Sequence, residues 1–233
     1  MVDLKEFEQK AADLRVLGMK ISIGQDTVYE KYWDEDCRRN IYSASKSFTS
    51  CAVGFAVQEG LIDLDERLMD AFKEDIPNNP DENLKKATVK DLLTMTLGQE
   101  KGFLMGKQRP RMEEQNWVKA SLAIPFVYEP GTHFVYNNVG PYLAGILVQR
   151  RAGCDLLSYL TPRLLKPLGI RKTIWEVDPE GNTFGAGGLF LTVSELHKLG
   201  MFYLQNGCWN GKKLLSKEWI HESTRKQVEN NKN

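Results

Sequence analysis

The chain has 233 residues, 42% of them hydrophobic, and its 31 Lys+Arg balance its 31 Asp+Glu. That composition supports one large domain or two small lobes around a sizeable core and excludes a disordered chain. The charge balance gives no general pull toward nucleic acid or an anionic membrane, so neither is expected as a partner.

The N-terminus, Met1-Val2-Asp3-Leu4-Lys5-Glu6, is polar and has no apolar signal-peptide core, and no apolar run approaches the ~18 residues of a membrane span. A cytoplasmic protein is therefore expected, although a secreted chain whose signal had been removed reads the same way. Cys37, Cys51, Cys154 and Cys208 form no C-x-x-C pair and no metal-ligand spacing with His133, His197 or His221, so no metal or cofactor is expected.

In chain order, Leu4, Phe7, Ala11 and Leu14 recur at helical spacing and predict an amphipathic helix over 3–16. Met19 to Ile23 and Thr27 to Trp33 flank Gly24-Gln25-Asp26 and predict a β-hairpin. Residues 44–57 are apolar nearly all round, which predicts a buried helix ended by Gly60. From 61 to 125 the pattern is helical and interrupted, with a short helix over 89–97. Gly98 to Arg111, rich in Gly, Lys and Arg, reads as a surface loop. Helices are expected over 139–150, 155–165, 194–203 (capped by Thr192 or Ser194) and 216–223. Gly185-Ala186-Gly187-Gly188 reads as a tight, flexible connection, and 229–233 as a fraying tail.

A serine attacks a carbonyl poorly unless a neighbouring base removes its proton. The chain has no G-x-S-x-G element, and its histidines have no triad context, so a lysine base in S-x-x-K is the remaining option. Two matches exist, Ser43-Ala44-Ser45-Lys46 and Ser223-Thr224-Arg225-Lys226. Ser223 lies in a polar terminal stretch. Ser43 lies where an extended segment meets the apolar helix, so its hydroxyl and Lys46 project from one face beside the N–H groups of a helix start. A plain helix cap explains Ser43 equally well on this local pattern. Gly185 to Gly188 lacks the spacing of a nucleotide-binding loop.

Downstream, Pro130-Gly131-Thr132-His133-Phe134-Val135-Tyr136-Asn137-Asn138 contains the chain's one Y-x-N. Ser43-x-x-Lys46 followed by this segment resembles the class C β-lactamase, penicillin-binding protein and serine esterase superfamily. Gln58 to Asp65, Lys90 to Gly98, Lys166 to Ile170 and Gly185 to Leu189 resemble further stretches of that family, so the likeness runs from about 18 to 222.

The resemblance implies a single α+β domain over 1–233, with a helical lobe over about 61–205 and an antiparallel sheet lobe over about 1–60 and 206–233. It implies that Ser43 is acylated, that Lys46 relays protons, that Tyr136 is the general base with the Lys46 ammonium favouring its phenolate, and that Asn138 binds Lys46 and the substrate. The substrate would be an ester, a β-lactam or a D-Ala-D-Ala-type peptide, with no metal or cofactor.

The family's third motif, a Lys-Thr-Gly or His-containing triplet on a late strand, finds no match here. The expectation is a sheet lobe without its C-terminal strands. One of two oxyanion donors would then be absent, which costs ~10²–10³ in rate, and the hairpin edge would invite self-association. Three readings stay open: a piece of a longer enzyme, a chain completed by a partner or second copy, or a homologue that binds a ligand without turnover.

Overall fold

A computed structural model describes residues 4–11 and 13–230. In order these form α1 (Lys5–Ala11), β1 (Gly18–Ile23), β2 (Asp26–Tyr32), β3 (Arg39–Asn40), α2 (Ser45–Gln58), α3 (Leu68–Ala71), α4 (Glu82–Lys86), α5 (Val89–Thr94), α6 (Trp117–Leu122) and α7 (Val139–Ala152). They continue with α8 (Leu156–Leu160), β4 (Phe190–Leu191), α9 (Val193–Leu204), β5 (Cys208–Trp209), β6 (Lys212–Lys213) and α10 (Lys217–Thr224). The architecture is α+β, helices with small antiparallel sheets, as expected from the sequence.

The core is built on α2. Its Phe48, Cys51, Ala52 and Val53 are fully buried, and each large apolar side chain so buried contributes ~1.5–3 kcal/mol. The helix ends as the sequence predicts, with Gly60 at φ +71 just beyond it. Helix α7 packs against both α2 and α5, and against α5 so closely that a Cβ on Gly140 would sit 2.2 Å from the Leu92 carbonyl oxygen. Helix α10 covers α2 through Trp219, whose indole lies where a Cβ on Gly54 would be, 2.4–2.6 Å away.

β1 and β2 pair antiparallel, with Lys20 opposite Glu30 in a 3.0 Å ion pair and a bulge between Ile21 and Ser22. The hairpin rests on α9, where His197 Nε2 meets Ser22 Oγ at 3.0 Å and Tyr32 meets Ser194 at 2.8 Å. Helix α9 starts with the predicted Thr192 cap, reinforced by Glu195 bonding back to the Thr192 N–H. Arg38 bonds the same Glu195 and the carbonyls of Arg171 and Lys172, tying the approach to β3 to this helix start.

Several expectations need correction. The first helix ends at Ala11 rather than reaching 16; residues 3 and 12 lie outside the described residues, as do 231–233 of the expected tail. The helix expected over 89–97 ends at Thr94, because Met95 adopts a left-handed conformation at φ 57. The stretch 98–111 is not wholly surface: Gln99 and Leu104 are fully buried. Gly185 to Gly188 is also buried and tied to α2, with Thr49 Oγ1 donating to the Gly185 carbonyl at 2.7 Å. The hairpin is not the only strand pair. β3 pairs antiparallel with β4, and β5 with β6 across the turn Asn210-Gly211.

Candidate active site

The short pair β3–β4 fixes the site's frame. It sets Arg39 opposite Leu191 and Asn40 opposite Phe190, and the Ile41 N–H bonds the Leu189 carbonyl at 2.9 Å. The segment entering α2 therefore lies beside the segment leaving Gly185 to Gly188. Between β3 and α2 the chain makes a tight 3₁₀ turn, Tyr42–Ala44, with Tyr42 at φ 47. A tyrosine in this left-handed region is strained and persists only where its surroundings over-determine it. Here the Tyr42 N–H bonds Asn40 Oδ1 at 2.7 Å, and the buried Ser45 hydroxyl donates to the Tyr42 carbonyl at 2.6 Å while accepting from the Leu189 N–H at 3.1 Å. The turn lifts Ser43 to the surface.

All four residues singled out from the sequence meet there. Tyr136 O–H donates to Ser43 Oγ at 2.7 Å. Lys46 Nζ donates to Ser43 Oγ at 3.0 Å, to Asn138 Oδ1 at 2.8 Å and to the Ala186 carbonyl at 2.6 Å. These three acceptors satisfy the ammonium's three protons, and the same nitrogen sits 5.3 Å above the Tyr136 ring. Asn138 is buried and braced in turn, its Nδ2 donating to the Leu104 carbonyl at 2.9 Å and its N–H to the Phe103 carbonyl at 3.2 Å.

Burial holds the Lys46 ammonium below the usual lysine range, with Tyr136 opposing that effect and the nearby Arg109 cation adding to it. The second S-x-x-K match has no such arrangement. Ser223 bonds back to the Ile220 carbonyl at 3.1 Å, and Lys226 pairs with Glu229. His133 stacks on Tyr128 with ring centroids 4.2 Å apart, and His197 serves the hairpin.

Sequence reasoning missed four contributors: Ser45, Asn40, Leu104 and Ala186. Ala186 and Leu104 act through backbone carbonyls, which no side-chain pattern reports. Ser45 lay in plain view inside the S-x-x-K motif, and burial among apolar neighbours was the available signal.

The beta-lactamase family model matches residues 5–233. The chain belongs to the beta-lactamase family. Among curated relatives, the monacolin J acid methylbutanoyltransferase of Aspergillus terreus is 31% identical over 157 residues, a match covering 59% of this chain and 37% of that enzyme. The lovastatin esterase of Penicillium rubens is 31% identical over 150 residues, covering 55% and 37%. The chain thus matches well under half the length of these relatives.

Among solved structures, the octameric penicillin-binding protein homologue from Pyrococcus abyssi superposes with a TM-score of 0.74 at 22% identity, covering 94% of this chain and 59% of that one. A simvastatin synthase variant from Aspergillus terreus gives 0.66 at 21%, covering 92% and 68%. These two likenesses establish the fold. Among the described residues no helix is long and apolar enough to cross a membrane, and no cluster of His, Cys, Asp and Glu is arranged to hold a metal.

Proposed function

We propose that this chain carries out acyl transfer through an ester on Ser43, with an ester as acyl donor and water or an alcohol as acceptor. The observation that carries the reading is the double contact on one exposed serine hydroxyl: Tyr136 at 2.7 Å and Lys46 at 3.0 Å. In the reactive form, Lys46 and Tyr136 together lack one proton, so that the pair can accept one. That pair takes the Ser43 proton as Oγ bonds to the carbonyl carbon. The donor's C–O bond then breaks, and the pair returns the proton to the departing alkoxide. In the second half, water or an alcohol loses its proton to the same pair as its oxygen bonds to the acyl carbon; the bond from that carbon to Ser43 Oγ then breaks, and the pair returns the proton to Oγ. Asn138 and the Ala186 carbonyl hold Lys46 in place throughout. Esters are favoured over β-lactams as donors because the curated relatives named above are an acyltransferase and an esterase.

The test is labelling with a fluorophosphonate probe, followed by peptide mapping and p-nitrophenyl ester turnover. Modification confined to Ser43, with turnover of simple esters, is the expected result. Modification at Ser45, Ser47 or Ser223 overturns the assignment. Stoichiometric labelling without turnover points instead to a ligand-binding homologue, and faster acylation by penicillin moves the substrate class to β-lactams.

A further inference from the structure

Glu176 lies outside every motif in the sequence, yet it joins the two halves of the site. Its segment runs beside Gly185–Leu189: the Glu176 N–H bonds the Gly188 carbonyl at 2.9 Å, and the Phe184 N–H bonds the Glu176 carbonyl at 2.9 Å. The side chain passes over Gly188, where a Cβ would lie 2.5 Å from Glu176 Cβ and 2.6 Å from its Oε2, and Gly188 sits at φ +81. Only a glycine leaves this passage open. On the far side, Asn40 Nδ2 donates to Glu176 Oε1 at 3.1 Å. Asn40 Oδ1 accepts the N–H of Tyr42, the strained residue immediately before Ser43. The other carboxylate oxygen takes Arg109 Nη1 at 3.2 Å, with the guanidinium lying over the Phe184 ring at 4.3 Å.

Arg109 closes the path. Its N–H bonds the Met105 carbonyl at 3.1 Å, next to Leu104, whose carbonyl holds Asn138. Asn138 holds Lys46, and Lys46 bonds Ser43. Contacts and backbone thus form one ring from Ser43 through Tyr42, Asn40, Glu176, Arg109, Leu104, Asn138 and Lys46 back to Ser43.

We propose that Glu176 is a positioning residue for Ser43, its carboxylate setting the nucleophile turn through Asn40 and the Asn138 brace through Arg109. The proposal rests on Ser43 being the acyl acceptor, as argued above. A carboxylate offers two acceptors, and both neighbours are donors. An amide offers one acceptor, so Glu176→Gln sets donor against donor on one arm. Displacing a reacting group by about an ångström costs up to ~10²-fold in rate.

The test compares fluorophosphonate labelling rates of Ser43 in wild type, Glu176→Gln, Asn40→Asp and the double variant, with protection of the Tyr42 amide from hydrogen exchange measured alongside. Each single variant is expected to label roughly 10- to 100-fold more slowly. Asn40→Asp sets two carboxylates face to face. The double variant inverts donor and acceptor: the amide introduced at position 176 can donate to the carboxylate introduced at position 40, which still accepts the Tyr42 N–H. Labelling and Tyr42 protection should then return toward wild type, a recovery that general destabilisation would not produce. If Glu176→Gln labels as fast as wild type, or the double variant shows no recovery, the proposal is overturned. If wild type itself does not label at Ser43, the acyl-transfer reading fails. The exchange data then decide the turn-setting role separately: equal Tyr42 protection in wild type and Glu176→Gln overturns it.

Discussion

Helix α2 and the β1–β2 hairpin are held in opposite ways. Residues of α2 are enclosed by α7, α10 and the 185–189 segment, and two of its polar contacts are buried, Thr49 to Gly185 and Ser45 to Leu189, with Ser45 to Tyr42 partly so. The hairpin has no buried residue. It hangs on side-chain contacts at partly exposed positions, Glu8 with Tyr29 and Lys31, Ser22 with His197, and Tyr32 with Ser194. Buried, fully satisfied polar contacts specify one arrangement, whereas exposed ones each contribute little. The candidate site presents an exposed serine hydroxyl on a base braced by buried contacts of α2 and Asn138, none of them shared with the hairpin, so its chemistry and the hairpin's attachment should come apart under mutation.

The largest effects should be chemical and confined to the α2 side. Lys46→Ala and Tyr136→Phe should each slow Ser43 labelling by roughly 10²–10⁴-fold, the range for loss of a proton-transfer group. The double variant should be little worse than the worse single one, as for residues that act as a unit. Multiplying effects in stopped-flow labelling would mean the two do not share one proton. Because burial depresses the Lys46 ammonium, the rising limb of the wild-type pH–rate profile should lie below the ordinary lysine value of 10.5.

Next in size is a stability contrast between two helical glycines. Gly140→Ala drives a Cβ to 2.2 Å from the Leu92 carbonyl oxygen, and overpacking of this kind costs about 1–3 kcal/mol. Gly200 in α9 has nothing within 4 Å of the added Cβ, so Gly200→Ala should stabilise by about 0.5–1 kcal/mol. Urea melts of both variants check the pair; equal shifts would remove the difference in packing between the two regions.

Legibility in the sequence follows the same division. The long buried helices α2 and α7 and the capped helices α9 and α10 could be read from apolar periodicity and cap residues, because those signals are local. So could Ser43, Lys46, Tyr136 and Asn138, because two short motifs carry them. The β3–β4 pair could not, since two residues on each side leave no alternation to detect. The brace at Leu104 was hidden in a Gly- and Lys-rich loop whose composition argued for solvent. Met95, left-handed without being glycine or asparagine, gave no sign of stopping its helix early. The turn Asn210-Gly211 is different: Asn-Gly between paired residues is a strong hairpin signal, so this turn was legible even though its two-residue strands were not.

The smallest effect should appear on the hairpin and should depend on pH. His197 Nε2 bonds Ser22 Oγ, and the groups acting on the ring are the Lys20 cation and the Glu30 carboxylate of the facing strands. Burial holds the His197 ring below the ordinary value of 6.5, the Lys20 charge adds to that, and Glu30 opposes it. In the window between the folded value and 6.5, the detached or unfolded chain binds more protons than the folded one, so stability rises with pH there. The contribution is complete above 6.5 and is lost as pH falls below it toward the folded value. Lowering the pH from about 7.5 down through 6.5 should therefore reduce exchange protection factors over Gly18–Tyr32, while those of α2 stay level. His197→Gln keeps a side chain able to bond Ser22 but cannot titrate, and should flatten the hairpin's response. If α2 loses protection in step with the hairpin, the two regions open as one unit and the contrast between them fails.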